Sequence, residues 1–249
     1  MDLTEYRNSE KEKLRVGNLL ELVPDGLQNA LDIGARDGFI TKLLADKIPS
    51  VTALDLEMPS FSHERIECVK GDATQLEFPD LTFDLVMCSE VLEHIPTQML
   101  AKACREISRV SRRYVLIGVP YKQDLRVGRM TCRTCGKFNP PWGHVNRFDE
   151  QSLVALFELY DIKRTALIGE SAKGTNAVAS ALLDLAGNPY GTYDQEEPCI
   201  HCGSKLLVPP PQNFYQKLLS KAAHYARLTM LPFEQAHANW VHVLFEKKQ

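Results

Sequence analysis

The chain has 249 residues, 44% of them hydrophobic and 24% charged, with a formal net charge of −3. That is ordinary soluble globular composition, long enough for one domain with a sizeable core and room for an inserted module. No apolar run approaches the roughly 18 residues of a membrane span, and the mild acidity gives no support to a broad nucleic-acid surface. The N-terminal stretch MDLTEYRNSEKEKL is polar and does not read as a signal peptide. Seven cysteines without an export signal point to a reducing, cytoplasmic compartment, where paired cysteines more often bind metal than form disulfides.

Residues 9–22 predict an amphipathic helix, with Ser9 and Glu12 as a capping box and Leu14, Leu19 and Leu22 as its apolar positions. Alternation then begins: strand 29–33, helix 38–47, strand 51–55, a short helical or loop piece at 59–64, and strand 66–70. Strand 83–88, helix 97–109 and strand 113–119 follow. Alternating strands and helices predict a parallel sheet with helices on both faces. After Pro120 the periodicity fades, and residues 121–143 are rich in Gly, Pro and basic side chains. A helix is expected at 149–160 and a strand near 163–168. A long, partly helical stretch comes next, with its best helix at 215–228, and WVHVLFE (240–246) alternates as a closing strand.

The first strand, glycine turn and helix lie in ALDIGARDGFIT, residues 30–41. Glycine is needed where a backbone turns sharply and lets a ligand approach, and the helix that follows aims its first N–H groups over that turn. Arg36 stands where a dinucleotide fingerprint would carry a second glycine. VTALDLE (51–57) closes on Asp55, about 20 residues past the turn, the spacing at which a carboxylate accepts ribose hydroxyls. KGDATQLEFPD (70–80) and FDLVMCSEVLEHIP (83–96) complete the set. Asp32, Asp55, Asp72 and Ser89 thus sit at or just past strand ends, where ligands bind in such sheets.

These four segments, in this order and spacing, resemble the class I S-adenosylmethionine-dependent methyltransferases, in particular the type 11 and type 23 enzymes that act on small molecules or glycans. The resemblance covers residues 28–120 and continues more faintly beyond. It implies a Rossmann-like, seven-stranded, mostly parallel sheet with the last strand antiparallel, helices on both faces, and a small accessory lobe made by two insertions. The expected organisation is an S-adenosylmethionine-binding core over 1–120, a first cysteine-pair insertion at 121–143, core again at 144–170, a second insertion at 171–238, and the final strand at 239–249. Both insertions are expected to rise over the cleft. By resemblance, Gly34, Ala35 and Gly38 pass under the methionine end of the cofactor, with Asp32 orienting the loop. Asp55, with Leu56 beside it, takes the ribose, and Asp72 and Ala73 lie against the adenine. Ser89 and Glu90 contact the aminoacyl part, and Arg36 pairs with the cofactor carboxylate or with a nearby acid. His94 is a candidate base toward a hydroxyl acceptor, since imidazole titrates near neutrality. His144, in the segment GHVNRF, is expected to face the acceptor, to ligate a metal or to cap a helix.

Cys132-Arg-Thr-Cys135-Gly136 and Cys199-Ile-His-Cys202-Gly203 form the second signal. Two C-x-x-C turns complete a tetrahedral site, and four sulfur ligands would leave a Zn²⁺ ion structural rather than catalytic. Redox dithiols or unrelated thiols are the alternatives. Cys68, Cys88 and Cys104 read as packing residues. Lys122, Arg126, Arg129, Arg133, Lys137 and Arg147 cluster around the first turn with little acid nearby, which would suit an anionic acceptor or a solvated surface. Tyr121, Phe138 and Trp142 are placed to stack on a ring or to form a small core. The leading expectation is a methyltransferase acting at oxygen on a small molecule or glycan precursor. The alternatives are an RNA methyltransferase, against which the acidic balance counts, and a non-catalytic zinc-bearing interaction protein.

Overall fold

The computed structural model describes residues 7–170, 174–229 and 236–248. The expected boundaries at the chain start, at 171 and at 249 fall outside them. The described residues divide into two compact units. The larger contains the chain up to Tyr121, Phe148–Gly169 and the segment from Ala238 onward; the other is made by Lys122–Arg147 and Glu170–His237. The core therefore resumes at Phe148 rather than at 144, and His144 belongs to the second unit.

The larger unit holds helix α1 (Glu10–Leu22), strand β1 (Asn29–Ile33), helix α2 (Phe39–Ala45), and strands β2 (Ser50–Asp55), β3 (Ile66–Lys70) and β4 (Phe83–Ser89). Helix α3 (Thr97–Val110) and strand β5 (Ser111–Pro120) follow. Helix α4 (Glu150–Leu156) and strands β8 (Tyr160–Ile168) and β9 (Trp240–Lys247) complete it. Its seven-stranded sheet has the order β3-β2-β1-β4-β5-β9-β8. Strands β1 to β5 pair in parallel, whereas β9 lies antiparallel between β5 and β8. The order reverses between β1 and β4, which makes their carboxyl ends the switch point of the sheet.

Strand side chains alternate between two apolar layers. Leu31, Ile33, Val86, Cys88, Val115 and Ile117 pack with α3 and α4 through Cys104, Ile107, Leu153 and Phe157. Ala30, Leu85, Met87, Leu116 and Leu244 pack with α1 and α2 through Leu19, Leu22 and Leu44. The short apolar runs of the sequence are therefore buried on both faces, as a parallel sheet requires.

Three local expectations are corrected. The Ser9 Oγ accepts from the Glu12 amide at 3.2 Å, but the Glu12 carboxylate turns to Arg15 instead of closing the box. Leu14 is 57% exposed. The piece at 59–64 takes the loop form of its two expected forms; a bridge joins His63 to Ile66, and a Cβ on Gly38 would lie 2.3 Å from the Phe61 ring. The helix expected at 149–160 ends at Leu156 because Tyr160 already belongs to β8, where its hydroxyl donates to Ser108 O at 3.1 Å.

The second unit contains a two-stranded antiparallel ribbon, β6 (Met130–Thr131) with β7 (Phe138–Asn139), and two helices, α5 (Ala177–Leu185) and α6 (Phe214–Leu228), that pack on each other. Among the described residues no helix is long and apolar enough to cross a membrane.

Candidate functional site

Strands β1, β2, β3 and β4 are in parallel register and end along one edge of the sheet, with Ile33 opposite both Leu54 and Cys88, and Asp55 opposite Lys70. The expected cofactor-side residues, from Asp32 to Gly38 and Asp55, Leu56, Asp72, Ala73, Ser89 and Glu90, lie at or just past these ends, whereas His144 lies in the second unit. The turn after β1 is built by two kinds of contact. The amides of Gly34 and Ala35 donate to Leu54 O at 2.8 and 3.1 Å, and the Arg36 amide donates to Asp55 Oδ2 at 2.9 Å. Asp55 therefore holds the glycine turn as well as the tip of its own strand. Gly34 is left-handed at φ +83°, and a Cβ there would lie 2.2 Å from Val91 Cγ2, so the position admits only glycine. Arg36 also adopts positive φ, and its side chain is exposed. Leu56 is 66% exposed. Asp72 is exposed and accepts from the Thr74 amide at 2.7 Å, while the neighbouring Ala73 is buried.

Asp32 is buried within β1, and Thr41 Oγ1 on α2 donates to its Oδ2 at 2.6 Å. Burial pushes the Asp32 carboxyl up to about 7, against that hydrogen bond and with the Asp55 charge adding to the rise. The unfolded side chain loses its proton near 3.8, so between these two values the folded state binds the extra proton. The contribution of Asp32 to stability therefore falls as pH rises from about 4 to about 7 and is constant above. Asp32→Asn is expected to remove a slope of up to about 1.4 kcal/mol per pH unit. Urea unfolding of both proteins across that window reads it as a difference, and a pH-independent difference rejects the buried acid.

Helix α1 brings a charged side chain to the tip of β4. Arg15 donates through Nε and Nη2 to the Glu12 carboxylate at 2.8 and 2.7 Å, and through Nη1 to Ser89 Oγ at 3.1 Å. Both ion-pair partners are only 4% exposed. Glu90 follows at φ +57°, its amide donating to Gly118 O at 2.9 Å and its Oε2 accepting from Trp240 Nε1 at 3.1 Å. Burial raises its carboxyl, opposed by Arg15 and Trp240. Glu93 is fully enclosed, and burial together with the charge of Glu90 holds it well above the ordinary range. On β9, His242 Nδ1 lies 2.9 Å from Asn18 Oδ1; burial and the Arg15 charge push the imidazole down to about 3, so it is neutral. Glu90 Oε1, both Glu93 oxygens and His242 Nε2 are buried and make no hydrogen bond. Such atoms are costly in a free chain and fit a site completed by a polar ligand. His94, four residues past Glu90, is exposed.

The four paired cysteines meet in the second unit. Their Sγ atoms lie within 4.8 Å of one another, with Cys132 to Cys202 at 3.7 Å and Cys135 to Cys199 at 3.6 Å. A tetrahedron with metal–sulfur bonds of about 2.3 Å has edges of about 3.8 Å, so the donor set fits one Zn²⁺. The two turns share a geometry. Gly136 N donates to Cys132 O, Gly203 N to Cys199 O, both at 2.9 Å, and the two glycines have φ of +70° and +71°. Asn139 ties the halves together by accepting from the Ile200 amide at 2.9 Å. Met130, Tyr193 and Leu206 bury Cys132 and Cys199.

His144 is buried in this unit, with Nδ1 2.7 Å from Gln123 Oε1. Trp142 is exposed. The expected basic cluster is partly neutralised: Arg126 Nε reaches Asp124 at 2.8 Å and Arg129 reaches Asp184 at 2.7 Å. Helices α5 and α6 also line a cavity of about 270 Å³, bounded by Ala179, Leu183 and Ala223 and by Arg126, Arg129 and Arg227.

Comparison with known families places the larger unit. The family model for the methyltransferase domain matches residues 31–116, the span of β1 to β5 that carries the site. Residues 31–116 form a class I S-adenosylmethionine-dependent methyltransferase domain. An uncharacterized methyltransferase of Mycobacterium bovis is 36% identical over 81 residues, 30% of this chain and 41% of the relative. The ubiquinone biosynthesis O-methyltransferase of Paracidovorax citrulli is 26% identical over 106 residues, 38% of this chain and 44% of the relative. The chain thus spans about two fifths of the length of the curated relatives it matches. Among solved structures, the N-methyltransferase NodS of Bradyrhizobium japonicum, in complex with S-adenosyl-L-homocysteine, superposes with a TM-score of 0.54 at 16% identity, covering 98% of this chain and 91% of that one. That likeness is one of fold.

Around this site, three contributors escaped the sequence reading: Thr41, Trp240 and His242. Arg15 and Glu12 could have been found, because an acid and a base three apart on a helix face are a pair. The others reach it through hydrogen bonds that only the fold creates, Thr41 to Asp32, Trp240 to Glu90 and His242 to Asn18.

Proposed function

We propose that the protein is an S-adenosylmethionine-dependent methyltransferase that methylates an oxygen of a small molecule or glycan precursor. One observation carries this reading: the edge where β1, β2 and β3 end presents a glycine turn with Asp32, Asp55 and Asp72 on adjacent strands of a methyltransferase domain. Asp55 would accept the ribose hydroxyls, and Asp72 with Ala73 and Leu56 would border the adenine. Gly34, Ala35 and Gly38 would pass beneath the methionine end. Glu90 Oε1, buried without a partner, suits the cofactor ammonium, with Arg15 fixing Ser89 beside it. When bound, the sulfonium supplies an electrophilic methyl group; the protein then has to align the acceptor and receive its hydroxyl proton. Exposed His94 is the candidate base.

Oxygen is favoured as the acceptor atom because the ubiquinone O-methyltransferases are the curated relatives whose reaction is named. An anionic acceptor loses support, since Arg126 and Arg129 already have carboxylate partners. We also assign Cys132, Cys135, Cys199 and Cys202 as ligands of one structural Zn²⁺. Calorimetry with S-adenosylmethionine is expected to give saturable one-to-one binding. Absence of binding would remove the enzyme reading and leave a zinc-bearing interaction protein.

A further inference from the structure

Helix α6 carries apolar side chains on the side turned away from its own unit. Ser220 and Ala223 are the buried residues of the helix. Phe214, Tyr215, Leu218 and Tyr225 are 75%, 74%, 57% and 58% exposed. At 100° per residue, Phe214, Leu218 and Tyr225 fall on one stripe, opposite Ala223. Helix α5 repeats the pattern with Val178 and Leu185, 61% and 70% exposed. Scattered exposed apolar residues need no explanation, but a contiguous stripe of this kind marks an interaction surface.

The charges beside the stripe identify the occupant. From Lys205 to Thr229 there is no acid, although the whole chain is at −3, and the exposed side of α6 carries Lys217 and Lys221. Lys217 and Lys221 are three residues from Phe214 and Leu218 respectively, directly beside the stripe. A second copy of the chain fits this poorly. An isologous contact sets lysine near lysine, α6 offers no carboxylate in return, and the acid of α5, Asp184, is already held by Arg129. Aromatic rings and leucine flanked by lysines are the chemistry of a helix lying in the headgroup region of an anionic bilayer. We propose that α6, with the exposed face of α5, docks this unit on an anionic membrane surface, phenyl and phenol rings among the upper acyl chains and ammonium groups against lipid phosphates.

The test is flotation of the full-length, zinc-loaded protein with vesicles of phosphatidylcholine alone and of phosphatidylcholine with an equal part of phosphatidylglycerol. Binding is expected to the second and to be weak to the first. Leu218→Glu is expected to weaken it at least tenfold, and so is Phe214→Ser, which adds no charge. Lys217→Gln with Lys221→Gln should weaken it roughly 25-fold at low salt, about fivefold per ammonium. All these positions are exposed, so unchanged circular dichroism is expected. Absence of flotation, equal binding to both vesicles, or a dimer in sedimentation that Leu218→Glu dissolves would each overturn the proposal, the last in favour of self-association.

Discussion

Asp55→Ala is expected to weaken S-adenosylmethionine binding by roughly two orders of magnitude, the largest effect of any single substitution at the strand tips. Two losses combine. The carboxylate holds the Arg36 amide at 2.9 Å, and this bond fixes the turn that Gly34 and Gly38 make. The same carboxylate is the one assigned to the ribose hydroxyls. Hydrogen bonds to a charged group contribute about 1.5–3 kcal/mol each, so losing both the loop contact and the ligand contact corresponds to about 3 kcal/mol or more. Asp55→Asn separates them: it keeps a carbonyl acceptor for the amide, and only about a tenfold loss is expected. Calorimetry measures both, with urea unfolding to confirm that the domain remains folded. A dissociation constant within threefold of wild type for Asp55→Ala would reject the assignment.

The second large effect concerns the cysteines. Cys132→Ser, or a strong chelator acting on the wild type, is expected to lower zinc content from about one ion per chain to near zero. It should also abolish amide protection around the two C-x-x-C turns. The reason is size. Apart from its cysteines, the cluster around them buries Met130, Tyr193 and Leu206 and little else. A structural zinc site contributes on the order of 10 kcal/mol to folding, far more than so small a core. The seven-stranded sheet has two extensive apolar layers of its own, so its protection should survive. Hydrogen exchange followed by mass spectrometry distinguishes the segments. Retention of protection in Lys122–Arg147 after metal removal would show that the thiols pack without an ion.

The core of the fold was legible because its strands are short apolar runs that end in acids, and because alternation with helices leaves one parallel topology. Leu85 to Cys88 and Tyr114 to Ile117 are unbroken apolar runs and are buried throughout, as a sheet covered on both faces requires. Insertion of β9 between β5 and β8 was expected from resemblance, not from its own residues. The piece at 59–64 was left open between helix and loop because its decisive contact, Phe61 against Gly38, joins segments that sequence reasoning treats separately. The partners of the charge cluster were legible only in part. Asp124 lies two residues from Arg126 and was visible; Asp184 is 55 residues from Arg129 and became a partner only through the fold. The capping box of α6 was equally readable, with Asn213 and Gln216 each bonding the other's backbone amide. The buried ring of His242 carried no such signal, since only burial distinguishes it from a surface side chain.

The position of β9 has a consequence for how the molecule is made. Its Glu246 pairs with Arg113, 133 residues earlier, and its backbone completes both β5 and β8. A nascent chain emerging from the ribosome therefore displays β5 as an open edge while the whole of the second unit is being translated. Contacts so distant in sequence form slowly, and an open apolar edge invites strand addition from other chains. Closure of the sheet therefore waits until β9 itself has been made, and until then β5 stays open to strand addition.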